Sequence, residues 1–153
     1  KLSAVESGSK VIPKMKISEN VGKVTTPCNK EIFRFYDRET GKALADVITV
    51  TGEEIDENKP YEIFDPVQTW KKKTLVNFTT RRLLEPVFIN GKCVYTRPDI
   101  KEIRQYSGDQ LNTLWDSILR FENPQNYYVD LSKELWDIRN DILHRNRDTQ
   151  ITQ

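Results

Sequence analysis

His144 is the only histidine of the 153-residue chain, and Cys28 and Cys93 are its only cysteines. An imidazole is the side chain best suited to taking up a proton near neutral pH. His144, however, falls at the end of the last predicted helix beside Arg145 and Arg147. There a partly positive side chain interacts favourably with the helix C-terminus and needs no catalytic role. The cysteines are far apart, without C-x-x-C spacing or a neighbouring histidine, and indicate neither a zinc site nor a disulfide framework. Ser107-Gly108-Asp109 has the composition of a phosphate-binding triplet. Three residues are a weak signal, and Ser107 with Gln110 has capping-box spacing, so a helix cap or kink accounts for it. Trp70-Lys71-Lys72-Lys73 followed by Arg81-Arg82 offers charge and aromatic stacking to a polyanion. With 24 Lys plus Arg against 23 Asp plus Glu, the net charge is only +1, so a solvated loop is expected there and no nucleic-acid partner. A dimer partner's acidic surface is a third reading. Glu53, Glu54, Asp56 and Glu57 read as a flexible acidic loop, because nothing apolar nearby would shift a carboxylate's pKa.

The elements that would position these groups follow from periodicity. Lys1 to Glu6 lacks an initiating Met and alternates like a strand, so the chain is expected to begin within a fold. Pro13 to Ser18 alternates with Met15 and Ile17 on one face and Lys14 and Lys16 on the other, and Val24 to Thr26 offers a further short strand. Ile32 to Tyr36 and Leu44 to Val50 form a hairpin across the turn residues Asp37 to Lys42, with Leu44, Asp46, Ile48 and Val50 facing one way. Tyr61 to Phe64 and Leu83 to Ile89 are predicted strands, the latter broken by Pro86, and Asn90-Gly91 makes a tight turn before Cys93 to Tyr95. Beyond Pro98 the apolar spacing becomes helical: Ile100 and Ile103, then Leu111, Leu114, Trp115 and Ile118, with a break at Ser107-Gly108 and an end near Phe121. Tyr127 to Val129 is an extended link. Asp130 or Ser132 caps a last helix bearing Leu131, Leu135, Ile138 and Ile142. Trp115 and Trp136 lie on or near apolar stripes and are expected to pack in a core.

The fold class predicted is α+β: an antiparallel β-rich portion over 1–95, a helical carboxy-terminal portion over 96–146 and a disordered tail over 147–153. Hydrophobic residues at 37% and charged residues at 31% describe a folded chain. A length of 153 residues suffices for one core and falls short of the usual barrel enzyme. The longest apolar runs are far below the roughly 20 residues needed to span a bilayer, no signal peptide is visible, and a reducing cytoplasm is the expected setting.

Once placed, several strings form an ordered set: Lys1 to Val5, Pro13 to Ser18, Lys23 to Pro27, Phe33 to Tyr36, Arg82 to Phe88, Gly91, Glu102 to Arg104, Gln110-Leu111, Leu114-Trp115, Asn123-Pro124, Tyr127 and Val129 to Ser132. In order and spacing they resemble nicotinate phosphoribosyltransferase just after its barrel, over residues 1 to about 146. Cys28 stands where that family commonly has Gly, so the Pro27-Cys28-Asn29 turn either lacks a positive-φ residue or places it at Asn29. The resemblance implies a homodimeric enzyme of NAD salvage that makes nicotinate mononucleotide from nicotinate and phosphoribosyl pyrophosphate, using Mg²⁺ and ATP hydrolysis coupled through a phosphorylated histidine.

The resemblance also implies that the phosphate-binding loops and that histidine precede Lys1. This chain is then a structural completion of the enzyme, with no catalytic residue, inactive alone and binding no cofactor alone. Its partners would be the upstream portion and a second subunit. Lys1, Lys14 and Lys16 are the candidates for reaching a substrate anion, because strands leaving a phosphate-handling barrel can carry a Lys to it, against the plainer reading of a wet strand face. The rival reading is a stand-alone binding module presenting Lys71 to Lys73 to RNA or a protein.

Overall fold

The computed structural model describes residues 3–20, 23–68 and 70–151, with side chains described through residue 145. Strands β1 (Ala4–Ser7) and β2 (Lys10–Pro13) form a small hairpin through Gly8, whose φ of 62° suits a residue without a Cβ. The central hairpin forms as its patterning requires: β3 (Lys30–Asp37) and β4 (Ala43–Val50) pair antiparallel. The Asp37 carboxylate fixes their turn by accepting from the Glu39 and Thr40 amides and the Thr40 hydroxyl, at 3.1, 2.7 and 2.8 Å. Further along come β5 (Tyr61–Phe64), β6 (Lys72–Leu75), β7 (Phe78–Arg82), and the two-residue strands β8 (Phe88–Ile89) and β9 (Lys92–Cys93). The chain then runs through α1 (Ile100–Asn112), α2 (Asp116–Leu119), β10 (Val129–Ser132) and α3 (Lys133–Ile151).

Six strands make one sheet in the order β6-β5-β10-β4-β3-β7. Its two edge strands, β6 and β7, are joined only by Val76 and Asn77. Three Cα steps reach at most about 11 Å, whereas the outer strands of a flat six-stranded sheet stand roughly 24 Å apart. The sheet must therefore curl until its edges approach. Asn77 turns the corner with a φ of 51°, and Arg38 holds it by donating its amide to the Asn77 carbonyl at 3.0 Å and its guanidinium to that of Phe78 at 2.8 Å. The inside of the curl is the main core: Phe35, Ala45, Val47, Ile63, Leu75 and Phe78 are buried together, drawn from both edges and the middle. Phe35 sits 4.8 Å from Phe78 and 5.2 Å from Tyr61, ring centre to ring centre.

The outer face is covered by α3, through Leu131, Leu135 and Cys28 packed with Ile48, Val50, Trp136 and Ile138. Both faces of β4 are thus occupied, which its unbroken alternation of buried and half-buried residues reflects. The Ser132 hydroxyl accepts the Leu135 amide at 3.2 Å and caps α3, one of the two caps the sequence offered.

Several expectations are corrected. Tyr127 to Val129 is not merely a link: residues 129–132 form β10, which enters the middle of the sheet, parallel to β4 and antiparallel to β5. The α+β class stands, with this one parallel pair in an otherwise antiparallel sheet. Pro13 ends a strand rather than starting one. The Lys14 amide goes to the Ser3 carbonyl, and Lys16 exchanges bonds with Thr25, so neither 14–18 nor 24–26 joins a ladder. Leu83 to Ile89 is strand only at Phe88–Ile89. Lys72 and Lys73 belong to β6 and Arg81-Arg82 to β7, because Leu75 and Phe78 are pulled into the core and order the residues beside them.

Ser107-Gly108 neither breaks nor caps a helix. Asp99 does the capping, accepting the Lys101 and Glu102 amides while the Glu102 carboxylate returns to the Asp99 amide, and α1 runs unbroken through Gly108. The helix stops at Asn112 rather than near Phe121. Helix α3 continues to Ile151, through most of the stretch expected as a tail, so His144 lies within the helix and not at its C-terminus. At Pro27-Cys28-Asn29 the positive φ, 72°, belongs to Cys28 itself.

Candidate functional site

Arg34 and Asp46 stand directly opposite each other in the β3/β4 register. Their side chains pair as a two-pronged fork, at 2.7 and 2.9 Å, with only 18% and 15% of the respective side chains exposed. Tyr127 donates its hydroxyl to the same carboxylate at 3.0 Å, and Arg34 also reaches the Gln110 side-chain oxygen at 3.3 Å. The knot ties β3, β4, α1 and the approach to β10 together. Hydrogen bonding to Asp46 raises the Arg34 pKa further, while burial, then the Asp46 charge, pushes the Tyr127 phenol up. These shifts hold Arg34 charged and Tyr127 neutral, which suits a tie and not an acid/base pair. An Asp in the otherwise apolar row Leu44, Asp46, Ile48, Val50 was the sequence signal for it.

A second network corrects the reading of Glu53 to Glu57 as a flexible loop. Glu53 accepts from the Tyr61 hydroxyl at 2.6 Å and the Ser132 hydroxyl at 2.6 Å, linking the β4–β5 connection to the α3 cap. Burial foremost, then the Glu53 hydrogen bond, raises the Tyr61 pKa. Glu57 accepts the Thr80 amide and hydroxyl at 2.6 and 2.7 Å, pinning the same connection to β7. Near Cys28 the Lys30 ammonium donates to the carbonyls of Thr26, Pro27 and Cys28 at 3.1, 3.2 and 2.6 Å, which secures the strained turn. Burial raises the Cys28 thiol pKa, the opposite of what a nucleophile needs.

The structure does not gather the sequence candidates into one site. Lys14 and Lys16 are exposed beside the β1/β2 hairpin, and Lys1 lies outside the described residues. Ser107 and Gly108 sit on α1, where Asp109 accepts from Gln105 at 2.8 Å. Trp115 is 39% exposed, its indole donating to the Ala43 carbonyl at 2.9 Å, whereas Trp136 stacks on Phe64 with ring centres 4.8 Å apart. Among the described residues no group of three or more His, Cys, Asp or Glu could hold a metal, and no helix is long and apolar enough to cross a membrane.

The basic run is divided by strand alternation. Lys72 points to the α3 side and pairs with Glu62 at 2.8 Å. Lys71 and Lys73 line a cleft of about 820 Å³ with Asp65, Tyr128 and Asp130. A different surface carries most of the exposed apolar residues. Helix α1 buries none of its residues, leaving Ile100, Ile103, Tyr106 and Leu111 half or more exposed. Phe88 is 67% exposed and Phe121 entirely so. A set this large is the mark of a surface made to be covered.

A family model described as the nicotinate phosphoribosyltransferase C-terminal domain matches residues 29–139. The chain is 35% identical over 144 residues to a nicotinate phosphoribosyltransferase of Bacillus subtilis, covering 94% of this chain and 29% of that protein. It is 33% identical over 131 residues to nicotinate phosphoribosyltransferase 2 of Arabidopsis thaliana, covering 82% and 23%. The fold is similar to that of human nicotinic acid phosphoribosyltransferase, with a TM-score of 0.69 over 78% of this chain and 24% of that one, at 23% identity. The chain spans less than a third of these relatives' length. With most of its length inside that domain, including the curled sheet and the α3 face that covers it, this chain belongs to the nicotinate phosphoribosyltransferase family and corresponds to the family's C-terminal domain.

Proposed function

We propose that this chain completes a nicotinate phosphoribosyltransferase whose remaining portion carries the chemistry, and that the whole enzyme makes nicotinate mononucleotide from nicotinate and phosphoribosyl pyrophosphate with ATP hydrolysis, in NAD salvage. The observation that carries this reading is the unburied apolar surface of α1, the β8/β9 hairpin and Phe121, beside Arg34–Asp46 and Glu53 networks that are structural ties. Displacing pyrophosphate from an anomeric carbon needs a metal and fixed dipoles around the developing charge. In this reading the Mg²⁺ and ATP of the reaction are held by the upstream portion. The enzyme works as a cytoplasmic homodimer, with the exposed apolar face covered by the upstream portion or the second subunit.

The test is an assay of nicotinate mononucleotide formation from nicotinate, phosphoribosyl pyrophosphate and Mg-ATP, with the chain alone and with the upstream portion added. Activity only in the mixture is expected. Turnover by the chain alone would place catalytic residues within it, and no turnover from two folded pieces would sink the proposal.

A further inference from the structure

Strand register sorts the residues around β6, β5 and β10 by face, because directly paired residues point to the same side. Lys73 pairs with Ile63 and Ser132 with Ile63, while Asp130 pairs with Val47, and both Ile63 and Val47 belong to the inner core. Alternation then puts Lys71, Lys73, Tyr128 and Asp130 on that same side, where they line the 820 Å³ cleft with Asp65, Gln68, Gln125 and Asn126; Lys72 also borders it, but its ammonium turns to the other face and pairs with Glu62 at 2.8 Å. Lys73 holds its ammonium 4.7 Å from the centre of the Tyr128 ring, and Tyr128 remains 49% exposed. Asp130 is only 5% exposed, and its carboxylate receives no hydrogen bond from any described residue. Its oxygens reach the cleft rather than being sealed from solvent, within range of the Lys73 charge, and the cleft is of the size that takes a small molecule.

We propose that this cleft binds a nucleoside phosphate, at a site separate from the transferase chemistry of the upstream portion. Lys71 and Lys73 donate to phosphate oxygens, the base takes the place of the Lys73 ammonium on the Tyr128 ring, and a sugar hydroxyl donates to Asp130. Each part answers a feature of the cleft: two ammoniums on one face, an aromatic ring at its wall, and an unfilled acceptor in its floor. A plain anion would use the lysines alone and leave Asp130 unsatisfied and repulsive. The assignment does not depend on the transferase reading, because it concerns equilibrium binding by this chain.

The experiment is calorimetric titration of the 153-residue chain with ADP, with inorganic pyrophosphate as the comparison. ADP is expected to bind saturably and at least tenfold more tightly than pyrophosphate. Tyr128→Ala is expected to weaken ADP roughly tenfold, the loss of one stacked base. Lys71→Gln and Asp130→Asn should each weaken it severalfold, while Lys72→Gln, on the other face and paired with Glu62, leaves it unchanged. Absence of ADP binding, equal affinity for pyrophosphate, tighter binding by Asp130→Asn, or an equal loss from Lys72→Gln would each overturn the proposal. Lys71 is exposed, so its variant keeps the test decisive if Tyr128→Ala fails to fold.

Discussion

The curled sheet and the segment that crosses it follow different rules. Residues 30–82 with 129–143 bury apolar side chains on both faces of one sheet and pair Arg34 with Asp46 across its central hairpin. Residues 83–128 show good local signals, a fully formed capping box on α1 and an Asn90-Gly91 turn with φ of 48° and 75°, yet bury almost nothing. Local propensity has shaped the second region, and tertiary packing only the first. A helix formed without a buried face gains little from its own hydrogen bonds in water, so the local signals of α1 carry it without help from the sheet core.

That contrast can be broken most forcefully at Phe35. It is fully buried between Tyr61 and Phe78, and Phe35→Ala should cost about 3–5 kcal/mol by urea denaturation. A loss under about 1 kcal/mol would mean that the sheet interior is no better packed than α1. Next in size is Asp46→Asn, which leaves the Arg34 guanidinium and the Tyr127 hydroxyl without their charged acceptor and should cost about 2–3 kcal/mol. Arg34→Met in the same background should recover part of that loss in a double-mutant cycle.

Arg139 sharpens the comparison from the opposite side. It is 6% exposed on the sheet-facing side of α3, one guanidinium nitrogen has no partner, and burial lowers its pKa. Arg139→Met should raise stability by about 1 kcal/mol or more, measured as a higher melting temperature, because an unpaired buried charge is removed from the packed region. Asp130 gives a smaller, pH-dependent effect. Burial, with Asp65 second, raises its pKa in the folded state, so the proton is held more tightly there than in the unfolded chain. Its contribution is therefore fully present below the unfolded value of about 3.9 and is lost as pH rises through the folded value. Urea midpoints from pH 3.5 to 7.5 should show that limb in the parent chain and lack it in Asp130→Asn. The smallest effect is expected at Phe121→Ser, within about 0.5 kcal/mol because the ring is wholly exposed, together with lower self-association in sedimentation. A loss of 2 kcal/mol there would erase the distinction between the two regions.

What was legible in the sequence follows the same division. The β3/β4 hairpin, β5, the β8/β9 turn and the Leu135-Ile138 stripe could be read from alternation and spacing, because there the local pattern and the final packing agree, whereas Leu131, expected on the same helix, lies in β10. Residues 72–82 could not, since Lys72-Lys73 and Arg81-Arg82 outweigh the single core residues Leu75 and Phe78 that place them in strands. Asp99 with Glu102 has the same capping spacing as Ser107 with Gln110 and follows Pro98 directly, so the spacing alone does not choose between them. The polar ties escaped for a different reason. Glu53 and Ser132 are 79 residues apart, as are many members of such networks, and no local pattern announces a partner at that distance.

The late arrival of β10 has a consequence for biosynthesis. β4 and β5 are made early in translation, but the strand that lies between them is not complete until residue 132. Until then the nascent sheet has a gap with two open hydrogen-bonding edges, each a template for pairing with a neighbouring chain. A polypeptide cut anywhere between Phe64 and Val129 would keep that gap permanently, so premature termination in this region yields a product prone to aggregate rather than a shorter version of the domain.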